Sequence, residues 1–182
     1  MTPLLASLRH FIERFHLLLG TIVSWFTLLM AVLTVVIVVL RYGFGLGWIA
    51  LQESVLYLHA CVFMLGAAFT FKDNGHVRVD IFYRNMTPKK QAWVDIVGGV
   101  LLLMPVCVFI LLTSWQYVMT SWRLLESSQA AGGLPAVFLL KTLILLFAVT
   151  LFLQAIADII SKLPLVLGSA AASSSLSSSH RK

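Results

Sequence analysis

A long uncharged stretch near the start of the chain, residues 17–40, dictates most of what it can become. Sixteen of those residues are Leu, Ile, Val or Phe, and none is ionisable. Such a segment is worth roughly −5 to −10 kcal/mol on a membrane-insertion scale. At about 1.5 Å per residue, a helix of this length crosses a hydrocarbon core of about 30 Å. Three more long apolar runs follow, at about 49–71, 92–119 and 134–160. In lipid a continuous apolar run satisfies its backbone only as a helix. The fold class expected is therefore an all-α membrane protein with four transmembrane helices forming one domain over residues 17–163. Composition agrees, with 60% hydrophobic and 11% charged residues against about 25% charged in soluble domains.

The flanks read differently. Thr2-Pro3 resembles a helix start, and Leu4, Leu5, Leu8, Phe11, Ile12 and Phe15 recur at helical spacing with Arg9, His10, Glu13, Arg14 and His16 opposite. A basic amphipathic segment suits the headgroup region, so residues 1–16 are expected to lie along the membrane surface. The run that follows exceeds twenty residues and lacks a small-residue cleavage site, so it is expected to stay as the first span. At the other end, residues 164–182 become Ser/Ala-rich from Gly168 onward and predict a disordered tail.

The spans are not equivalent. The second includes Gln52, Glu53 and His59, which cost free energy in hydrocarbon. The third carries Gly98-Gly99 and Pro105, which predict a modest kink. The fourth is entered through Gly132-Gly133-Leu134-Pro135, a turn followed by a first-turn proline. Ten of the thirteen Lys and Arg fall before the first span, between the second and third, or after the fourth, while Arg41 and Arg123 are on the other side and Lys141 lies within a span. The positive-inside rule then puts both termini in the cytoplasm. Tyr42, Trp48 and Trp122 fall at the outer interface, and Tyr83 and Trp93 at the inner one.

Several function classes are disfavoured. The net charge of +6 is scattered as topology signals rather than gathered into a nucleic-acid patch. Cys61 and Cys107 sit inside apolar runs and form no metal or redox motif. No Ser-His-Asp set, phosphate loop or nucleophile elbow is visible, so no enzyme activity, catalytic residue or resident cofactor is expected. A haem between helices would want a second intramembrane histidine beside His59, and His10, His16, His76 and His180 all fall outside the four runs. His76 and Asp80, with no third ligand, make a poor metal site. A haem- or quinone-binding anchor of a redox enzyme is the alternative reading.

Two groups of residues invite a role. Glu53 and Lys141 fall at matching depth below the outer surface, and a structural intramembrane ion pair between them is the obvious hypothesis. The other outcome is that Lys141 snorkels outward while Glu53 meets water or Arg41. Gly20, Ser24, Thr27, Ala31 and Thr34 alternate at spacings of four and three, a stripe of small residues along which another helix can approach. With His59 they are the expected partner-packing positions.

Trp48 and Glu53 opening the second span, Gly66-Ala67-Ala68 near its end, and His76-Val77-Arg78-Val79-Asp80 in the loop that follows resemble the small membrane subunit of the tripartite ATP-independent periplasmic (TRAP) transporters, the DctQ-like family. The resemblance runs from about Arg41 to Leu163. Ser121-Trp122-Arg123-Leu124-Leu125-Glu126-Ser127 and Gly132-Gly133-Leu134-Pro135 followed by Lys141 look like its mannitol/chloroaromatic-type branch. Gln52 departs from the family, where many relatives have a second acidic residue. The resemblance implies sodium-driven uptake of an organic acid, with 2-oxo acids or lactate as candidates. It also implies a large DctM-like permease subunit and a periplasmic DctP-like binding protein as partners, besides membrane lipid. In that setting His76, Arg78 and Asp80 form a cytoplasmic loop motif, and Arg41, Trp48, Arg123 and Glu126 lie on the periplasmic face.

Overall fold

The computed structural model describes residues 3–72 and 83–179, all of them helix, turn or loop. Five α-helices are described: α1 (Pro3–Gly43), α2 (Ile49–Lys72), α3 (Pro88–Gly98), α4 (Met104–Leu124) and α5 (Val137–Ser179). A π-helical turn, Gly99–Leu103, joins α3 to α4, so the two make one rod. Among the described residues, four helical stretches are long and apolar enough to cross a membrane: Ser7–Gly43, Ile49–Phe71, Pro88–Leu124 and Val137–Leu167.

The π turn explains how Pro105 is accommodated. Proline cannot donate to the carbonyl four residues earlier, and its ring crowds that carbonyl. One extra residue per turn relieves the clash, with the Met104 N–H bonding to the Gly99 carbonyl instead. Where the sequence led to the expectation of a kink from Gly98-Gly99 and Pro105, the rod carries a π bulge one residue ahead of the proline.

α5 is the mast of the bundle, packing against every other helix and the π turn, while α1 packs on α2 and α5. Half of the most apolar stretch of α5 is buried, against 6% for each of the other spans. Its buried face carries Ala148, Leu151, Ala155 and Ala157, and the small residues let neighbouring backbones come close. The central cluster joins Ala68 of α2, Cys107 of α4 and Ala148 and Leu151 of α5, with Phe71, Leu103, Ile110 and Phe147 around it. Cys107, buried and unpaired, fills that core as a small apolar residue. On α1 the buried seam is Ile12, His16, Gly20 and Val23. A Cβ on Gly20 would come within 2.7–3.0 Å of the Phe69 ring, so this α1–α2 contact needs glycine.

Two boundaries differ in outline from the sequence pattern. Residues 3–16, expected along the membrane surface, are the first turns of α1, which runs unbroken from Pro3 to Gly43. His16, expected on a polar face, is fully buried, and its ring nitrogens lie 2.9 Å from the Ile12 carbonyl and 3.2 Å from the Thr150 carbonyl of α5. Similarly, α5 passes through Pro164 and stays helical to Ser179, where the composition predicted a disordered tail. Ala is the best helix former and Ser an ordinary one, so a helix already nucleated can propagate through such a segment.

Candidate functional site

The four long rods alternate in direction and leave two polar ends. At the end where α1 starts and α5 nears its close, Lys162 lies 2.7 Å from both Asp158 of α5 and Asp95 of α3. The Tyr83 hydroxyl donates to Asp95 at 2.8 Å, and the Gln91 amide donates to the Tyr83 carbonyl at 2.9 Å. This bracket fastens the start of α3 to α5.

The opposite end holds the densest polar construction, and it is built from a helix stop. After α4, Leu125 adopts a left-handed conformation (φ 45°, ψ 51°). Its N–H bonds to the Trp122 carbonyl and the Glu126 N–H to the Ser121 carbonyl, the bonding pattern of a Schellman motif with leucine where glycine is usual. The reversal swings Glu126 back over the last turns of α4. There its carboxylate accepts from the Ser121 hydroxyl at 2.6 Å and from the Lys141 ammonium of α5 at 2.5 Å. Lys141 also lies 4.0 Å over the Tyr117 ring, a favourable cation–π placement. The Glu126 carbonyl accepts the Val137 N–H at 3.0 Å. The Lys141 ammonium, then the Ser121 hydroxyl, holds the Glu126 carboxyl below its ordinary value.

The segment between α4 and α5 doubles back on itself through Ser128 N–H to Leu134 carbonyl and Gly133 N–H to Ala130 carbonyl bonds. Glu53 of α2 reaches into it, its two carboxylate oxygens accepting from the Ser128 hydroxyl and, at 2.6 Å, from the Leu134 N–H. Gly133 makes room, since a Cβ there would stand 2.5 Å from the Ser128 oxygen and 2.8 Å from a Glu53 oxygen. Trp122 closes the α4–α5 seam, donating to Thr142 at 2.8 Å and meeting the Phe138 ring edge-on at 4.7 Å.

The expected Glu53–Lys141 pair is thereby corrected. Both residues are at the anticipated end, but Lys141 pairs with Glu126 and Glu53 binds the hairpin's hydroxyl and backbone donors. Depth matched two charges, whereas the helix stop placed a nearer carboxylate beside the lysine. Arg41, Trp48 and Arg123 are exposed at this same end. Glu126, expected with them on the outer face, is half-buried in the clamp. Along α1, only Gly20 of the small-residue stripe is buried; Ser24, Thr27, Ala31 and Thr34 are exposed, and the three hydroxyls donate to carbonyls of their own helix. His59 is exposed and packs on Phe63 with ring centroids 4.9 Å apart. His76, Arg78 and Asp80 lie outside the described residues.

Sequence reasoning missed His16 and the Lys162 bracket. Stepping the Gly20 stripe back by four residues reaches His16 and then Ile12, and Asp158 with Lys162 has the spacing of a helical ion pair. Both signals were available. Among the described residues, no group of three or more His, Cys, Asp or Glu is arranged to hold a metal.

Among the described residues, the polar contacts at both ends join helices to one another. The sequence compares accordingly. The family described as tripartite ATP-independent periplasmic transporters, DctQ component, matches residues 30–165. A Haemophilus influenzae protein named as a TRAP transporter small permease protein is 33% identical over 113 residues, covering 62% of this chain and 67% of that one. No solved structure matches significantly. The match leaves out the first 29 residues and so all of the buried α1 seam, but it spans the π bulge, the clamp, and Ala31 and Thr34 of the small-residue stripe. With four membrane-capable helices and a family match over most of its length, the chain belongs to the DctQ family of TRAP transporter small permease components.

Proposed function

We propose that this chain is the fixed scaffold of a sodium-driven importer of an organic acid, holding a large permease subunit that binds and moves the substrate. A binding protein would deliver that substrate on the side faced by the clamped hairpin. The supporting observation is the bare face of α1, where Ser24, Thr27, Ala31 and Thr34 form a ladder of small residues with hydroxyls satisfied inside the helix. A face of small side chains with no unmet polar group is suited to close helix–helix packing in lipid. His59 of α2, exposed beside Phe63, extends the candidate contact surface.

The orientation that suits this reading has both termini in the cytoplasm and Arg41, Trp48, Arg123 and the hairpin facing the periplasm, as the distribution of basic residues favours. The residues around Ser121–Ser127 and Gly132–Lys141 favour the mannitol/chloroaromatic-type branch, and with it a 2-oxo acid or lactate as substrate. In this chain those residues are occupied in the clamp, so selection of the substrate falls to the partners.

A haem-binding anchor is not favoured. His16 is the second intramembrane histidine such a reading requires, but both its ring nitrogens face backbone carbonyls and His59 points away from the bundle core. The test of the scaffold is co-expression with the large permease and purification on a tag carried by this chain. A multi-span partner is expected to co-elute from the wild type and to be depleted from Ala31→Phe, while the variant chain alone keeps its thermal stability. If no such partner co-elutes from the wild type, the proposal is wrong.

A further inference from the structure

One cavity has no part in the clamp or the α1 stripe. It measures about 340 Å³ and lies between the first turns of α1 and the last buried turns of α5, lined by Arg9, Glu13, Gln154, Asp158, Ser161 and Lys162. Its charges are arranged in an unusual way. Arg9 bonds Glu13 at 2.7 Å within α1, and Lys162 bonds Asp158 at 2.7 Å within α5. Among the described residues, no ion pair crosses the gap from one helix to the other. Lys162 is also held by Asp95 of α3 at 2.7 Å, so the Arg9–Glu13 pair on α1 faces a lysine shared by two carboxylates, with open volume between them. Beneath them Gln154 is 4% exposed, and its side-chain oxygen is buried without a hydrogen-bond donor. A buried acceptor left unmet costs about 1–3 kcal/mol, which makes it a place where a ligand with N–H groups gains.

We propose that this cavity binds the headgroup of an aminophospholipid, with its primary ammonium toward Gln154, Glu13 and Asp158 and its phosphate toward Arg9 and Lys162. The walls present both signs of charge, so a zwitterion matches them better than a simple anion or cation. The unmet acceptor requires a nitrogen that still carries hydrogens. A primary ammonium offers three donors; a choline headgroup offers none. The choice of a lipid over a free zwitterion follows from the setting. The cavity is at one end of four membrane-capable helices, and Leu8, Phe11 and Leu165, within three residues of its lining residues in sequence, are exposed apolar surface for acyl chains. The proposal is independent of which proteins the chain assembles with.

The test uses the full chain purified in detergent and read by native mass spectrometry against lipids of matched acyl chains. Dioleoyl-phosphatidylethanolamine should bind about tenfold more tightly than dioleoyl-phosphatidylcholine, the size expected for one charge-assisted hydrogen bond. It should also outcompete dioleoyl-phosphatidylglycerol, which lacks the cation. Gln154→Leu and Glu13→Gln, both close in shape to the residues they replace, should each bring the two zwitterionic lipids toward equal retention. Equal retention of ethanolamine and choline lipids by the wild type would overturn the proposal, as would a preference that survives both substitutions. Competition by soluble phosphoethanolamine at the same concentration as the lipid would overturn the lipid assignment in favour of a small zwitterion.

Discussion

α1 and α5 are nearly the same length, 41 and 43 residues, and both contain a strongly apolar stretch. Yet half of that stretch is buried in α5 and 6% in α1. Apolarity therefore did not decide which helix is internal. What separates them is where their small residues fall. In α5, Ala148, Ala155 and Ala157 face neighbours that reach them. In α1 the small residues beyond Gly20 face outward. A membrane helix gains little by hiding Leu or Val from lipid, so close packing against small residues selects its neighbours.

The largest effect that could break this contrast comes from enlarging one alanine on each helix. Ala148 is fully buried within the central cluster, and Ala148→Phe is expected to cost about 1–3 kcal/mol through overpacking. Ala31→Phe, on the bare face of α1, is expected to change the stability of the isolated chain by no more than about 0.5 kcal/mol. Thermal unfolding in detergent, followed by loss of the monodisperse size-exclusion peak, compares the two. Similar losses at both positions would show that the outer face of α1 is already packed in the single chain.

The contrast between the helices was half-visible in the sequence. The four apolar runs placed the rods because length and lack of charge suffice for that. Pro105 after Gly98-Gly99 located the distortion in the third rod, because a missing donor must be absorbed nearby. The identity of the central helix was hidden, since Ala148 and Ala31 look alike until neighbours are placed around them. The burial of His16 was hidden for a related reason: it carries a polar ring, but its partners are carbonyls on its own helix and on α5, more than a hundred residues away in sequence. At the clamp, depth along two helices nominated Glu53 for Lys141. The residue that takes Lys141 is brought back by a left-handed leucine, and without the customary glycine the turn carries no sequence mark.

The clamp gives the next largest effect, and it sharpens the same contrast because it ties α5 to α4 and α2 without involving α1. Reversing both charges of the observed pair, Glu126→Lys with Lys141→Glu, is expected to recover much of the thermal stability lost by either single change. The exchange Glu53→Lys with Lys141→Glu should give no such recovery, since Glu53 would lose the Ser128 and Leu134 donors that a lysine cannot replace. Recovery in the second exchange and not in the first would restore the pair expected from depth alone.

The smallest effect is the pH dependence of that end of the bundle. Lys141 and Ser121 hold the folded Glu126 carboxyl below its ordinary value of 4.5. A carboxyl whose folded value is depressed binds protons more readily when unfolded. Its contribution to stability is therefore complete above about pH 4.5 and is lost as the pH falls through the lower, folded value. Melting temperatures measured from pH 6 downward should decline for the wild type, and part of that decline should be missing in Glu126→Gln, which cannot titrate. The two proteins differ at that one carboxyl alone, so the difference between the two curves isolates Glu126. Parallel curves would mean that the charge of Glu126 contributes nothing in solution, leaving α5 held at that end by its other contacts, among them Trp122 with Thr142, Val137 with the Glu126 carbonyl, and the Glu53 bonds.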